Sequence, residues 1–461
     1  MSGWGRTPVV SARGVFPATV SEGIKASLPA TAGPAEPAEP EGLLGRGLGR
    51  SYGDASLPAA GTGFLDTRFL DRFIAFDPVT GILEAEAGVS LHSVLEVMVP
   101  RGYFLPVTPG TRWVTLGGAV ASNVHGKNHH HCGSIEHFIT ALEVATPACG
   151  VMRCGPQENR ALFQATVGGY GLTGLITRVS LRLKPITSPR IRTRAVRAPT
   201  LSALFEAFRM HDAGYEYSVA WIDTLTQGKA LGRGVLMLGD HASDPEFSGE
   251  ARIPRNEKKP SDPALFHVPF PAPAGLLQPW ALRLFNAAYY HLPRPAGEKT
   301  AAYGGFFYPL DVIGGWNKLY GSRGFFQYQC VIPDDTGSGR GEAGVEACLN
   351  YLTRHGMGSF LAVLKRCGDD SVLLPFCKRG YTLALDIPHR GAETLRRLDE
   401  LDRIVLDYGG RVYLTKDARL SKETFRAMYP EWETWMKTVT RFNPDGLGRS
   451  RMSERLGLWE A

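Results

Sequence analysis

Three glycine-rich segments within the first 180 residues restrict what this chain can fold into. They are "GRGLGRSYGD" (45–54), "LPVTPGTRWVTLGGAVASNVHGKNHHHCGS" (105–134) and "ATVGGYGLTGLITRV" (165–179). The dinucleotide fingerprint G-x-G-x-x-G fails here, because a frame starting at Gly45 ends on Arg50 and a frame starting at Gly47 ends on Tyr52. A P-loop fails too, since no Gly-Lys-Ser/Thr follows. Backbone N–H groups in such segments can surround phosphate, so the pattern predicts one extended nucleotide cofactor held by backbone.

Length and charge narrow the function classes. A chain of 461 residues exceeds what one core usually supports, so we expect two domains. The net charge of +6 is evenly spread, which speaks against a nucleic-acid partner and suits an anionic ligand or membrane surface. We expect no secretory signal and no spanning helix, hence a cytoplasmic or peripheral membrane protein, including attachment at the periplasmic face through a partner. Seven cysteines without a CxxC pair predict reduced thiols.

Hydrophobic periodicity predicts an α+β fold. Residues 81–90 and 172–185 alternate as strands do, and residues 90–99 have helical spacing. Further along, strands are predicted at 217–224, 324–333, 359–367 and 381–388, with helices at 341–356 and 392–410. This order favours helices covering one face of an antiparallel sheet.

Residues 251–300 form an unusual insertion. Its first part is basic and interrupted by proline, and its second part, "ALFHVPFPAPAGLLQPWALRLFNAAYYHLP", is apolar and aromatic. One interpretation is an ordinary mobile insertion with a partly buried apolar half. The other is a lid or membrane-facing loop, with lysine and arginine near lipid headgroups and Trp280, Phe285, Tyr289 and Tyr290 at the interface.

The three glycine-rich segments together resemble the FAD-binding domain of the vanillyl-alcohol-oxidase type. More narrowly, the chain resembles the decaprenylphosphoryl-β-D-ribose 2'-oxidase family, flavin subunits of the epimerase that makes an arabinose donor for cell walls. The likeness continues through "SVAWID" (218–223), "FYPLD" (307–311), "WNKLYG" (316–321), "GFFQYQCVIP" (324–333) and "YLTKDARLSKETFRAMYP" (413–430). It implies a two-domain fold, with residues 1–186 and 411–461 binding FAD and residues 187–410 forming an antiparallel-sheet substrate domain.

The resemblance also implies the activity. The expected enzyme is an FAD-dependent oxidoreductase that oxidises the 2'-hydroxyl of a polyprenylphosphoryl-β-D-ribofuranose to the 2'-keto sugar. A separate NADH-dependent short-chain reductase would then reduce that product with inverted configuration. The cofactor would carry the redox chemistry, so the protein must orient the sugar and manage one hydroxyl proton.

Site residues follow from the same resemblance. Lys416, His125 and Tyr52 are implied as catalytic residues, and Lys416 could serve either as a base or as an electrostatic stabiliser. The implied cofactor-binding residues are Arg46, Gly47, Leu48, Gly49, Arg50, Ser51, Tyr52, Gly53, Thr108, Gly110, Thr111, Thr115, Gly117, Gly118, Ala121, Ser122, His125, Gly126, Asn128, Gly169, Gly171, Gly174, Ile176, Tyr413 and Lys416. The implied substrate-binding residues are Lys127, Trp221, Phe307, Gln327, Gln329, Lys365, Thr382 and Ala384.

Strand periodicity supports part of that set independently. Gln327 and Gln329 lie on one face of a predicted strand, so their amides can point into one cavity. An amphipathic edge strand would give the same pattern. Four histidines and Cys132 near residue 130 could form a zinc site, but consecutive histidines in regular backbone cannot all face one ion, and we expect no metal.

Two departures from the family pattern matter. Family members with covalent flavin carry histidine in a G-x-G-H-S pattern, whereas this chain has Arg50 before Ser51, so we expect noncovalent FAD. The pattern G-W-N-x-C-x-D is here "GYTLALD" (380–386), in which Thr382 replaces asparagine and Ala384 replaces cysteine.

Two alternatives to this function stay open. A soluble alditol or aldonolactone oxidase could share the fold, although Lys127, Lys365 and the apolar insertion favour a phosphorylated lipid sugar. A noncatalytic flavoprotein or lipid-sugar binding module would lack flavin reduction by any donor.

Overall fold

The computed structural model describes residues 1–28, 42–243, 266–273, 278–294, 297–334, 337–359 and 361–460. In that part of the chain, helices and two large antiparallel sheets combine in the expected α+β fold.

The first half of the chain builds a five-stranded antiparallel sheet and a smaller parallel one. The small sheet has the order β1-β3-β2, and the large one has the order β4-β5-β9-β7-β8. Alternation of apolar and polar residues predicted β5 and β9 correctly, and β9 buries every second side chain from Leu175 to Leu181. The strands span Gly14–Val15 (β1), Leu43–Arg46 (β2), Gly63–Asp66 (β3), Phe73–Asp77 (β4), Ile82–Glu86 (β5), Tyr103–Phe104 (β6), Ile139–Thr146 (β7), Gly150–Cys154 (β8), Leu175–Arg182 (β9) and Lys184–Pro185 (β10).

The second half builds an eight-stranded antiparallel sheet of order β15-β11-β13-β12-β18-β19-β17-β20. The predicted strands at 217–224, 324–333, 359–367 and 381–388 are confirmed as β12, β17, β18 and β19. The strands span Arg190–Ala198 (β11), Tyr217–Ile222 (β12), Gly234–His241 (β13), Phe266–His267 (β14), Glu298–Ala302 (β15), Ile313–Gly314 (β16), Phe325–Pro333 (β17), Ala362–Cys367 (β18), Gly380–Pro388 (β19) and Arg411–Val412 (β20).

Helices cover both sheets. The α-helices span Val20–Ser27 (α1), Leu91–Met98 (α2), Leu116–Ala121 (α3), His129–Cys132 (α4), Arg160–Thr166 (α5), Leu201–His211 (α6), Pro279–His291 (α7), Tyr303–Phe307 (α8), Arg340–Arg354 (α9), Ala392–Asp407 (α10), Lys422–Met428 (α11), Trp432–Phe442 (α12) and Arg451–Arg455 (α13). The helices predicted at 90–99, 341–356 and 392–410 are α2, α9 and α10.

Two apolar cores hold these layers together. One core packs α2, α3 and α5 against the five-stranded sheet, and the other packs α6, α9 and α10 against the eight-stranded sheet. The second core also takes in Trp435 and Met452 of the C-terminal helices. The last fifty residues therefore help to join the two sheets, because α12 also contacts α5 beside the first sheet.

The insertion is only partly within the described residues, since 251–265, 274–277 and 295–296 lie outside them. The described part contains α7, which the proline-rich sequence did not predict; Pro279 stands in its first turn, where a missing N–H costs no helical hydrogen bond. No helix in the described part of the chain is both long and apolar enough to cross a membrane.

Candidate active site

A cavity of about 390 Å³ lies where the three glycine-rich segments meet the eight-stranded sheet. All three segments contribute to its wall, together with β12, β17, β18, β19 and the loop after β20. The cavity therefore draws on both halves of the chain. The glycine-rich segments, far apart in sequence, come together at one site as the pattern predicted.

Close backbone packing explains why the first segment needs glycine. A Cβ at Gly47 would overlap the Thr115 hydroxyl, which accepts a hydrogen bond from the Gly118 N–H (3.2 Å) at the start of α3. Gly49 has a φ of 63°, in the left-handed region that side chains disfavour. The segment thus leaves its backbone open to a ligand.

Lysine side chains give the cavity its charge. Lys127, Lys365 and Lys416 all line it, each half-buried with its remaining surface on the cavity wall. Burial lowers the pKa of all three, and together with the charge of Lys365 it lowers the pKa of Lys127 and Lys416 to about 7. Within the described residues none of the three forms a salt bridge, so an anion could relieve their repulsion.

Asp386, on β19, is the carboxylate that acts on this cluster. It accepts hydrogen bonds from Gln327 Nε2 (2.6 Å) and Tyr320 Oη (3.1 Å), and its charge raises the pKa of Lys416. Burial raises the pKa of Asp386 itself to about 6, while Gln327, Lys416 and Tyr320 oppose that shift. Asp386 was not predicted as a site residue, although it is the last residue of the "GYTLALD" motif.

His125 is buried and neutral. Burial lowers the pKa of its imidazole well below the usual value, and the charges of Lys365 and Lys416 contribute. Its Nε2 lies 2.9 Å from Gln329 Nε2, which must donate, so the ring hydrogen lies on Nδ1. That Nδ1 has no hydrogen-bond partner among the described residues. A buried donor without a partner is costly, so this atom fits a bound polar group.

Tyr52 lies beneath Lys416, whose Nζ is 5.2 Å from the ring centroid. The Tyr52 ring packs edge-on against Phe325 and near Trp316. Burial first, and then the charge of Asp386, raises the Tyr52 pKa well above its usual value. The phenol is therefore neutral and acts as a fixed platform for the lysine.

Most of the predicted site residues line this cavity. Gln327 and Gln329 both line the cavity, while Phe326, Tyr328 and Cys330 between and beside them enter the core behind the sheet. Because β17 lies between β19 and β20, it is not the edge strand that the alternative interpretation assumed. The predicted residues that line the cavity are Gly47, Leu48, Gly49, Arg50, Ser51, Tyr52, Thr108, Gly110, Thr111, Thr115, Gly117, Gly118, Ala121, Ser122, His125, Gly126, Lys127, Gly171, Gly174, Ile176, Trp221, Phe307, Gln327, Gln329, Lys365, Ala384, Tyr413 and Lys416.

Five predicted contact residues lie behind the cavity wall instead. The Arg46 guanidinium donates to the carbonyls of Ser56 (2.7 Å) and Ser2 (2.8 Å), so it fastens the N-terminus. Gly53 packs directly against the backbone carbonyl of Asp417, and Gly169 against that of Ala165 in its own segment.

The remaining two of these five are polar. Asn128 donates to the Pro106 carbonyl (2.8 Å), and Thr382 accepts from Gln329 Nε2 (3.0 Å). Both therefore support residues on the wall.

Several lining residues were not predicted. Trp4 reaches the cavity from the N-terminus, where it stacks under the Arg50 guanidinium at 3.9 Å, and no motif marks it. Asp311 accepts from Thr111 Oγ1 (2.7 Å) and the Arg112 N–H (2.9 Å), which ties the second glycine-rich segment to the substrate side. Asp311 is the last residue of the "FYPLD" motif, and that motif was the sequence signal that could have identified it.

The cavity has an apolar side that is bounded by α7. Val219, Trp221, Met237 and Val363 line it from β12, β13 and β18, Leu361 lines it from just before β18, and Tyr289 lines it from α7. The Trp221 and Tyr289 rings lie 4.7 Å apart. Helix α7 also exposes the apolar side chains of Trp280, Leu284 and Phe285, and the Phe285 ring stacks on Tyr289.

Comparison with known proteins agrees with this geometry. Residues 38–155 match the family model described as FAD binding domain. The chain is 34% identical over 426 residues to the decaprenylphosphoryl-beta-D-ribose oxidase of Mycolicibacterium smegmatis, covering 90% of this chain and 89% of that one. It is 33% identical over 384 residues to an uncharacterized protein of Streptomyces coelicolor, covering 80% and 100%. A putative D-arabinono-1,4-lactone oxidase of Neurospora crassa is 27% identical over 142 residues, only 31% of this chain and 25% of that one.

Proposed function

Because this chain belongs to the decaprenylphosphoryl-β-D-ribose oxidase family, we propose that it oxidises the 2'-hydroxyl of a polyprenylphosphoryl-β-D-ribofuranose to the 2'-keto sugar. The cofactor is FAD. One observation carries the proposal: a single cavity joins an open glycine-rich backbone, a cluster of three lysines and an apolar wall that reaches α7. These three parts match a dinucleotide, a phosphate and a lipid chain.

The lysines account for the phosphate. Burial lowers the pKa of all three amines, and the charge of Lys365 lowers that of Lys127 and Lys416 as well, so an anionic phosphodiester binds favourably because it stabilises their protonated forms. Lys127 is held in place by donation to the Phe306 carbonyl and by the Phe306 ring, 4.4 Å from its Nζ. A neutral polyol or lactone would leave this charge unbalanced.

The cofactor supplies a two-electron acceptor for the hydride of the sugar carbon. The protein then needs one group that takes the hydroxyl proton. Lys416 has a pKa of about 7, so near neutrality a large share of its amine is unprotonated and can accept that proton. After transfer, the ammonium faces Asp386, whose charge favours the protonated form.

The other polar groups orient the sugar. Gln329 is fixed between His125 and Thr382, and Gln327 is fixed by Asp386, so two amide groups present defined faces to the cavity. Ala384, the cross-strand partner of Gln329, adds only a methyl group to the same wall. The His125 Nδ1–H remains available to a bound oxygen.

The apolar wall and α7 account for the lipid. We propose that the polyprenyl chain leaves the cavity past Trp221 and Tyr289 and that α7 rests on a membrane surface, with Trp280 and Leu284 in the interface. The proposed flavin domain comprises residues 1–186 and 411–461, and the proposed substrate domain comprises 187–410. We further propose noncovalent FAD and a separate NADH-dependent short-chain reductase that consumes the keto sugar.

The test is anaerobic flavin reduction. Purified holoenzyme is mixed with decaprenylphosphoryl-β-D-ribose, and the visible band of oxidised flavin is followed. We expect bleaching that is lost in Lys416→Met while FAD stays bound, and unchanged in Lys437→Met, an exposed lysine on α12. Bleaching by an aldonolactone or alditol but not by the lipid sugar would favour the alternative oxidase. No bleaching by any of these donors would favour a binding protein.

A further inference from the structure

Two cysteines lie together beside the cavity in an arrangement that the proposed oxidation does not use. Cys367 is the last residue of β18, and Cys377 lies in the loop that leads to β19. Their sulfur atoms and one ring nitrogen of His129 all lie within 4.8 Å of one another, and all three side chains are buried. Both thiols are free.

The loop is built around this pair. The Cys377 N–H donates to Asp370 Oδ2 (2.8 Å), and the Asp370 N–H donates to the Cys377 carbonyl (3.3 Å). Asp370 Oδ1 in turn accepts from Ser134 (2.6 Å). These contacts hold the loop so that Cys377 faces the end of β18.

His129 is already fully engaged. The Gly368 N–H donates to its Nδ1 (3.0 Å), so the ring hydrogen lies on Nε2, which donates to Asp370 Oδ1 (3.1 Å). A metal ion would need one of these nitrogens free. The two sulfurs are therefore the groups in this cluster that can change partners, which favours a thiol reaction over a metal site.

The two thiols are not equivalent. The hydrogen bond from Cys377 lowers the pKa of Cys367; burial opposes this, and the charge of Lys365 adds to it. Burial first, and then its hydrogen bond to Cys367, raises the pKa of Cys377 well above the usual value. Cys367 is therefore suited to attack as a thiolate, and Cys377 is suited to act as the resolving thiol.

A second pair provides an internal comparison. Cys330 and Cys348 are also buried and hydrogen-bonded to each other, in the core behind the eight-stranded sheet. There the hydrogen bond and burial raise the pKa of Cys330 well above the usual value, and no cation opposes them. Proximity and burial alone therefore do not produce a thiolate in this protein.

The reactive pair lies one layer of side chains from the cavity. Cys367 and Cys377 share an apolar cluster with Phe376 and Tyr413, whose rings stack at 4.4 Å. Both rings contact the imidazole of His125, at 5.4 and 5.1 Å. A change in the sulfur pair would thus be transmitted to His125.

We propose that Cys367 and Cys377 form a reversible dithiol–disulfide couple that is oxidised by a hydroperoxide. The Cys367 thiolate attacks the terminal peroxide oxygen, the O–O bond breaks, and the leaving alkoxide or hydroxide takes a proton from solvent, which gives a sulfenic acid. The Cys377 sulfur then attacks the sulfenic sulfur, the S–O bond breaks, and the thiol proton leaves with the hydroxyl as water. The two sulfurs lose two electrons and the peroxide gains them.

The test begins with the unaltered holoenzyme. It is treated with one equivalent of hydrogen peroxide, the remaining thiols are alkylated, and the peptides are analysed by mass spectrometry before and after dithiothreitol. We expect a Cys367–Cys377 disulfide that dithiothreitol reverses, formed at least about tenfold faster than any oxidation of Cys330 or Cys348. Oxidation of the exposed Cys149 while Cys367 and Cys377 stay free would overturn the proposal.

Variants separate the two steps. In Cys377→Ser the sulfenic acid should persist on Cys367 and be trapped by dimedone, whereas Cys348→Ser should form the disulfide as the unaltered protein does. No dimedone adduct in Cys377→Ser, with the protein still holding FAD, contradicts the assigned roles. One equivalent of zinc in the purified protein, lost in Cys367→Ser, would show a metal site and refute the couple.

Discussion

The protonation state of Lys416 should control the rate of flavin reduction. With a pKa of about 7, roughly one-eleventh of the amine is neutral at pH 6 and about ten-elevenths at pH 8, so a base at this position predicts a roughly tenfold rise in rate between these values. Removing the amine in Lys416→Met removes the proton acceptor. We expect the rate constant to fall by roughly 10²–10⁴ and the rise near pH 7 to disappear.

The assay is single-turnover flavin reduction in an anaerobic stopped-flow instrument, at saturating lipid-linked ribose, from pH 5.5 to pH 9. Lys127→Met is the matched control, because Lys127 also has a pKa of about 7 and lines the same cavity. That variant should bind substrate more weakly but keep the rise near pH 7 at saturation. The reasoning is refuted if Lys416→Met keeps the rise, or if its rate constant stays within about tenfold of the unaltered enzyme.

Further predictions follow from other parts of the site. Asp386→Asn should move the rise in rate to lower pH, since the carboxylate raises the pKa of Lys416; an unchanged pH profile would contradict this coupling. Gly47→Ala should cost about 1–3 kcal/mol of stability or lose FAD, whereas Gly304→Ala, whose Cβ meets nothing within 4 Å, should do neither in thermal unfolding and flavin retention assays. Trp280→Ser should weaken sedimentation with anionic vesicles without changing flavin content, and equal sedimentation would argue against α7 as the contact.

The glycine pattern and the strand periodicity were sufficient to predict much of the fold. Alternation predicted β5, β9 and β17, because each of these strands has faces of different burial or function. The face of β17 that carries Gln327 and Gln329 lines the cavity, and the opposite face enters the core. Helix α7 was not predicted, because the prolines before it indicated an interruption of regular structure. Pro279 is nevertheless compatible with the first turn of a helix.

The sequence indicated the candidate site residues that belong to a motif, but not those that reach the site through tertiary contacts. Trp4 lies more than forty residues before the first glycine-rich segment and is held at the cavity by tertiary contacts, among them the Arg50 guanidinium over its ring and its N–H, which donates to the Ser51 carbonyl (2.7 Å). Asp386 matters through Gln327 and Lys416, which lie on other elements. The pairing of Cys367 with Cys377 depends on how the loop between β18 and β19 folds around Asp370. None of these contacts has a signal at fixed sequence spacing.

The cavity explains why a basic cluster and an apolar wall occur in one site. Because the pKa of Lys127 and Lys416 is about 7, these amines are only partly protonated near neutral pH. A bound phosphate raises the pKa of nearby amines, so we expect substrate binding to be accompanied by proton uptake near pH 7. Lys416 lies in the same cluster, and a bound phosphate would raise its pKa as well. The distance between phosphate and proton acceptor must therefore be large enough for Lys416 to stay partly neutral. Lys127, whose amine donates to the Phe306 carbonyl, and Lys365, on β18, are the lysines we expect to bind the phosphate, whereas Lys416 lies over the Tyr52 ring and its pKa is raised by Asp386.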